Sequence, residues 1–266
     1  MMSFHLPVFE QARNRTLAHF VVTMRNQIGV LEEVSRILTR NKVNVLSGFH
    51  ETPIGSHGSW SFFADMTDSV VPTDKLANEL SRSPNVLGVT FRTNQIGIIV
   101  DTFHFPPSLQ GPILVLSVAS FREMIRHIRE IMGDHAGDVL LHQLGIANGK
   151  GIAQTIESIF GTRPNKEELE EFLHLIRTAG WGVETLKEID YEASAAKVQV
   201  ADCTECSFYP KSSKPQSQFV RGSYEATFGH LFEKPVDTEE VLCIAKGDAV
   251  CEFTVKPRPG QAGQTT

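Results

Sequence analysis

Residues 96–112, IGIIVDTFHFPPSLQGP, constrain the fold most, because no helix or strand can run through their second half. Pro106, Pro107 and Pro112 lack a backbone N–H and fix φ, which excludes them from the interior of regular elements. The aromatic residues around Phe103 distinguish this stretch from a flexible, polar linker. A chain of 266 residues is long enough for two cores. The sequence therefore predicts two domains joined by a connector that packs on its surroundings.

Composition limits the classes of function. The hydrophobic content of 41% and the charged content of 21% are ordinary for a soluble globular protein. A net charge of −6 is not that of a nucleic-acid-binding protein. We find neither an apolar signal core at the start nor a run of roughly 20 apolar residues. We expect a cytoplasmic protein with no direct contact to nucleic acid or membrane, in which paired cysteines favour metal or redox roles over disulfides.

The first 95 residues alternate between the two-residue period of strands and the longer period of helices. In chain order the predicted elements are strand 16–24, helix 29–40, strands 43–51 and 58–66, a helix opened by Pro72, and strand 85–94. This βαββαβ order is typical of a ferredoxin-like domain with a four-stranded antiparallel sheet.

Residues 20–48, FVVTMRNQIGVLEEVSRILTRNKVNVLSG, resemble an ACT domain. The resemblance implies a homodimer formed side by side, with an amino-acid-like effector at the interface. The turn before the first helix would face Asn44 of a second copy, and its residues are Asn26, Gln27, Ile28, Gly29 and Val30. The free N–H groups of a helix N-terminus suit a carboxylate. The alternative is that Asn26 caps the helix and Gly29 only permits the turn.

The second half predicts a helical layer on an antiparallel sheet. Its predicted helices are 117–132, 136–145, 150–160, 166–181 and 219–232, the second and third being joined across Gly145 and Gly149. Two strands, 182–190 and 195–203, and a hairpin at 239–253 complete it. The predicted fold class is thus α+β throughout. The expected boundaries are 1–97 for the ACT-like domain, 98–112 for the connector, 113–257 for the second domain and 258–266 for a disordered tail.

Three segments of this half resemble the 4-vinyl-reductase domain family: GDVLLHQLGIANGKGIA (137–153), FVRGSYEATF (219–228) and VLCIAKGDAVCEFTV (241–255). The resemblance implies a fold like that of small vesicle-tethering subunits. It also implies a sensor module for an aromatic or other apolar small molecule. His142 and Trp181 are candidates to line its pocket, with ordinary packing in the core or at its rim as the alternative.

Two of the four cysteines, Cys243 and Cys251, lie symmetrically about Lys246-Gly247-Asp248. A three-residue loop would place them directly opposite each other, with Cβ atoms roughly 4.5–5.5 Å apart. That separation suits two zinc ligands better than an unstrained disulfide, which needs about 3.5–4.5 Å. Zinc, a redox dithiol and simple packing all remain open.

Cys203 and Cys206 have the spacing of half a zinc site and would complete four thiolates with Cys243 and Cys251. The sensor branch of the resembled family implies three cysteines and a glutamate, which here is Glu240. One family cysteine position is occupied by Ser217, a poor zinc ligand. On a flat strand, Glu240 and Cys243 would point to opposite faces.

We find no Ser/His/Asp order and no dinucleotide fingerprint with strand context that would assert catalysis. The sequence therefore favours a small-molecule-sensing regulatory protein over an enzyme, acting through an unknown output protein. Two alternatives remain. A reductase-type enzyme would act on the apolar ligand, and an assembly or scaffold protein would fill its second domain with its own side chains.

Overall fold

The chain divides into two units, Met1–Ile113 and Leu114–Thr266, in a computed structural model. The structure describes residues 9–12, 14–52, 56–94, 98–104, 113–209 and 211–259. Most of the predicted proline-containing connector and most of the predicted tail therefore lie outside the described residues. Within the described ranges, none of the helices combines the length and apolar character needed to cross a membrane.

The N-terminal unit has the predicted βαββαβ order, which confirms the ferredoxin-like fold class. Its sheet has the strand order β3-β4-β2-β5, and every pair is antiparallel. The short strands β1 and β6 pair separately, a feature the sequence did not predict. The elements are β1 Phe9–Gln11, β2 Leu17–Arg25, α1 Val30–Arg40, β3 Asn44–Glu51, β4 His57–Asp65, α2 Thr73–Ser81, β5 Val86–Asn94 and β6 Ile98–Val100.

The core of this unit lies between the sheet and the two helices. Helix α1 buries Val30, Val34, Ile37 and Leu38, which the helical period places on one face. Strand β2 is central and pairs with β4 and β5, so its apolar run is covered along most of its length. This explains why β2 reads as a continuous hydrophobic segment, whereas β3, at the edge, has few buried residues.

The C-terminal unit has helices packed on one antiparallel sheet of order β7-β8-β10-β9, as predicted. Its core joins α4 and α5 to the inner face of β8 and β10. The elements are α3 Val118–Phe160, α4 Lys166–Thr178, β7 Val183–Asp190, β8 Ala195–Ala201, α5 Gln218–Leu231, β9 Val236–Leu242 and β10 Cys251–Pro257, with 3₁₀ turns at Cys206–Phe208 and Ile244–Lys246.

The predicted break of α3 across Gly145 and Gly149 is wrong, because the helix runs through both glycines. A Cβ atom at Gly145 would overlap the carbonyl oxygen of Phe219, and one at Gly149 would overlap that of Ser223. The glycines therefore let the backbone of α5 approach α3 closely. The helical path is interrupted instead at Gly133, whose φ of 75° and ψ of 165° are not helical.

Gly149→Ala should lower the free energy of unfolding by about 1–3 kcal/mol, since the added methyl group forces α3 and α5 apart. Gly151→Ala is the matched control in the same helix, because a Cβ there meets nothing within 4 Å. It should raise stability by roughly 0.5–1 kcal/mol through the ordinary helix preference for alanine. Urea unfolding followed by circular dichroism measures both, and equal effects would contradict the close helix approach.

Candidate functional site

The C-terminal unit holds a buried group of possible metal ligands, here called the cysteine cluster: Cys206, Glu240, Cys243 and Cys251. One ligand atom from each residue lies within 4.8 Å of all the others. The Sγ of Cys206 is 3.3 Å from that of Cys243, 3.4 Å from that of Cys251 and 3.5 Å from Oε1 of Glu240. The cluster thus joins the 3₁₀ turn after β8 to both strands of the closing hairpin.

A β-bulge brings Glu240 to the cluster. In the pairing of β9 with β10, Leu242 faces Glu252 but Glu240 faces Phe253, so Val241 is an extra residue. Val241 and Leu242 are consequently both exposed. Glu240 and Cys243 are both buried on the same face. The flat-strand argument against Glu240 is therefore wrong.

The predicted three-residue hairpin loop is also wrong. Strand pairing ends at Leu242 and Glu252, and the chain between them forms the 3₁₀ turn Ile244–Lys246 before Gly247. Gly247 has the expected left-handed φ, at 102°. The backbone N–H of Cys243 donates to Oδ2 of Asp248 at 2.8 Å, which closes the loop. Cys243 and Cys251 therefore flank the loop just beyond the last strand pair.

Ser217 lies inside the cluster as a hydrogen-bonding partner. Its Oγ is 2.7 Å from Sγ of Cys206 and 3.0 Å from Oε1 of Glu240, while its backbone N–H donates to Oε2 of Glu240 at 3.0 Å. Cys206 therefore supplies its thiol beside the position where serine replaces the family cysteine. The other predicted ligand, Cys203, lies beside the cluster, with Sγ 3.7 Å from Oγ of Ser217.

The electrostatics of the cluster concentrate negative charge on one thiol. Hydrogen bonds from Cys206 and Cys251 hold the pKa of Cys243 far below its usual range. Hydrogen bonding to Cys203 and Cys243 raises the pKa of Cys206. Burial raises the pKa of Glu240 to about 8. A cation bound here would replace these protons, as metal binding to thiols and carboxyl groups generally does.

The donor set fits a tetrahedral metal site. Zn–S bonds of about 2.3 Å imply ligand atoms about 3.8 Å apart, only a few tenths of an ångström more than the separations observed. All four cysteines of the chain are free and buried. Three sulfurs and one carboxylate oxygen in a water-poor pocket can hold a metal ion.

A cavity of about 60 Å³ lies between the helices and β7. Its lining is mostly apolar, and α3, α4 and α5 contribute Ile152, Ile156, Leu169, Phe172, Leu173, Ile176, Val220, Phe228 and Leu231. Trp181 lines it, as the sequence suggested, and stacks on Phe219 with ring centroids 5.4 Å apart. Phe121 packs edge-on against both rings.

His142 is not among the residues that line this cavity. Its Nε2 lies 3.2 Å from Oε2 of Glu225, which places it at the contact between α3 and α5. Sequence reasoning missed Glu184 on β7, which does line the cavity. The Tyr224 hydroxyl donates to Oε1 of Glu184 at 2.7 Å, and burial raises the pKa of Glu184 to about 7.

The candidate effector turn of the N-terminal unit is exposed. Ile28 is fully exposed, and Gly29, with φ of 93°, precedes α1 without a side-chain cap. Val30 is buried in the core. Asn44 is exposed at the start of β3. Gln27 N–H bonds within the turn, and Asn26 N–H donates to the carbonyl of Ser56. The amino-acid effector and the homodimer stay predictions.

A serine–histidine–aspartate arrangement occurs in the N-terminal unit, although no sequence motif announces it. Nε2 of His19 is 2.8 Å from Oγ of Ser61, and its Nδ1 is 3.8 Å from Oδ1 of Asp101. His19 is 0% and Ser61 1% exposed, so a substrate has no access to the hydroxyl. The arrangement ties β2 and β4 to the segment after β6, and burial lowers the pKa of His19.

Comparison with known proteins agrees with this architecture. Residues 196–257 match the model of the 4-vinyl-reductase domain. The C-terminal region contains a 4-vinyl-reductase domain. The matched residues include the whole cysteine cluster. An uncharacterized protein of Methanocaldococcus jannaschii is 29% identical to this chain over 108 residues, which are 41% of this chain and 60% of that relative.

Among solved structures, the phenol-responsive sensory domain of the transcription activator PoxR, determined with phenol, is 17% identical to this chain with a TM-score of 0.50. The match covers 55% of this chain and 77% of that one, and it shows a shared fold. An ACT domain from the GTP pyrophosphokinase of Chlorobium tepidum is 14% identical, covering 29% of this chain and 96% of that one, at a TM-score of 0.24. Strand order supports the ACT-like fold independently.

The raised pKa of Glu184 predicts a pH-dependent stability of the 4-vinyl-reductase domain. Its folded pKa of about 7 exceeds the ordinary 4.5, so the folded state holds a proton that the unfolded state releases. Stability from this group is complete below pH 4.5 and is lost as pH rises through 7. The loss amounts to about 3 kcal/mol at 1.36 kcal/mol per pKa unit.

Glu184→Gln should flatten this decline, whereas Glu188→Gln, at an exposed carboxylate of the same strand, should leave it unchanged. Urea unfolding at several pH values, followed by Trp181 fluorescence in a Trp60→Phe background, reports on the 4-vinyl-reductase domain. Identical pH slopes in all three proteins would contradict the assignment.

Proposed function

We propose that the protein is a small-molecule sensor whose 4-vinyl-reductase domain binds an apolar ligand in the cavity between its helices and β7. The observation that carries the proposal is the cavity itself, with an almost entirely apolar lining. A scaffold protein would fill this space with its own side chains. The fold shared with a sensory domain determined with phenol supports the same function.

The ligand needs more room than the cavity offers at rest. An engineered protein cavity that holds benzene measures roughly 150 Å³, whereas this cavity measures about 60 Å³. The Trp181–Phe219 stack belongs to the lining and is the natural part to move, since Trp181 is only half-buried. Ligand entry therefore separates the stacked rings, and this movement is the event that a sensor can report.

Phenol should change the fluorescence of Trp181 when excited at 295 nm. The chain has two tryptophans, so a Trp60→Phe variant reports on the C-terminal unit alone. The matched control, Trp181→Phe, retains only Trp60 of the N-terminal unit and should show no saturable change. A linear response in both variants would mean collisional quenching and would contradict binding in this cavity.

We propose further that the metal of the cysteine cluster is zinc, held by Cys206, Glu240, Cys243 and Cys251. Zinc would crosslink the hairpin to the turn after β8 and add to the stability of the fold. Ser217 would orient Glu240 through the two hydrogen bonds described above. The role is structural, because the four protein ligands leave no open coordination position.

The protein purified without chelator should carry one zinc per chain, measured by native mass spectrometry. Cys206→Ser should lose it, and Cys203→Ser should keep it, because the Cys203 thiol lies outside the cluster. The double variant Cys206→Ser/Ser217→Cys should regain zinc, since the two side chains lie 2.7 Å apart. Equal zinc loss in both single variants would show that Cys203 is also a ligand. A metal-free wild-type protein would contradict the proposal.

The ACT-like unit fits a regulatory role, with its effector turn exposed at Ile28. A homodimer, an output protein and a cytoplasmic location remain predictions of the sequence.

A further inference from the structure

One polar atom in the cavity lacks a partner, and it bears on the chemistry of the ligand. The Tyr224 hydroxyl donates to Oε1 of Glu184, but Oε2 is buried and has no hydrogen-bond partner among the described residues. Leaving a buried carboxyl oxygen unpaired costs free energy that a native structure rarely accepts without a function. This inference rests on the proposed binding of a ligand in the same cavity.

The other polar residues of the lining make hydrogen bonds within the protein. Asn148 donates to Oγ of Ser223 at 3.1 Å. Ser223 and Thr227 each donate to a backbone carbonyl oxygen of α3 at 3.2 Å, those of Gly145 and Gly149. Glu184 is therefore the polar lining residue, among those described, whose side chain keeps an oxygen available for a ligand.

A hydroxyl group is the ligand chemistry that fits this oxygen. It can donate to the ionised carboxylate and accept from the protonated carboxyl group, so it satisfies Oε2 in either state. A ligand carboxylate would meet like charge in a water-poor cavity. The apolar walls around Glu184 exclude a second polar group without a partner.

We propose that Glu184 is the polar anchor of the cavity, and that the ligand is an apolar molecule no larger than a single ring that carries one hydroxyl group hydrogen-bonded to Oε2. Tyr224 is a positioning residue, because it holds the carboxyl group through Oε1 and leaves Oε2 directed at the ligand. The pair discriminates by rejecting molecules of the same shape that lack the hydroxyl group.

The test compares 4-fluorophenol with fluorobenzene, two probes of nearly equal shape of which only the first has a hydroxyl group. Fluorine NMR titration measures the dissociation constant of each probe for the full-length protein. The wild-type protein should bind 4-fluorophenol about tenfold or more tightly than fluorobenzene, because the second probe leaves Oε2 unpaired. This comparison requires no variant and so does not depend on the folding of one.

The double variant Glu184→Leu/Tyr224→Phe replaces both members of the pair by apolar groups of similar size, a change that cores tolerate. The preference should disappear or reverse, with fluorobenzene binding at least as tightly as 4-fluorophenol. The control Glu188→Leu changes an exposed glutamate of the same strand and should keep the wild-type preference.

The outcomes separate the two proposals. Equal affinity of the wild-type protein for both probes would overturn the anchoring role of Glu184 and leave the cavity as a binding site. A preference that survives in the double variant would likewise overturn it and assign the hydroxyl group to another residue. Failure of both probes to bind would overturn the proposed sensing of a single-ring ligand together with the anchor.

Discussion

The start of α5 is the point on which the C-terminal unit depends. The carboxyl group of Glu205, 0% exposed, accepts hydrogen bonds from the backbone N–H groups of Phe219 and Val220 at 3.0 and 2.9 Å. Such a carboxyl group satisfies donors that a helix N-terminus otherwise leaves free. One residue before the helix, Ser217 donates to Glu240. Two buried carboxyl groups thus fix the helix that carries one wall of the cavity, and one of them belongs to the cysteine cluster.

Local patterns predicted the elements well and their approach to one another poorly. The βαββαβ order followed from residue periods that each segment carries by itself, such as the buried face of α1. Gly145 and Gly149 misled the prediction, because a glycine that breaks a helix and one that admits a neighbouring backbone look alike in one sequence. The decision lies with α5, which is more than 60 residues away along the chain.

The candidate site shows the same division. The scarcity and spacing of the cysteines pointed to a shared site, and Cys206, Cys243 and Cys251 do meet. The bulge at Val241 could not be seen, because it is a property of how β9 pairs with β10. Glu184 carried no signal either, since an acidic residue in a strand is ordinarily taken to face water.

The backbone contact between α3 and α5 limits how the C-terminal unit can respond to a ligand. Contacts through side chains leave slack that rotamer changes can absorb, but backbone against backbone at Gly145, Gly149 and Gly222 leaves none. Any shift of α5 must therefore carry the second half of α3 with it. The helical path breaks at Gly133, where the backbone can turn at little cost. In mechanical terms, α3 is a lever whose pivot is a single glycine, and residues 118–132 form its free arm.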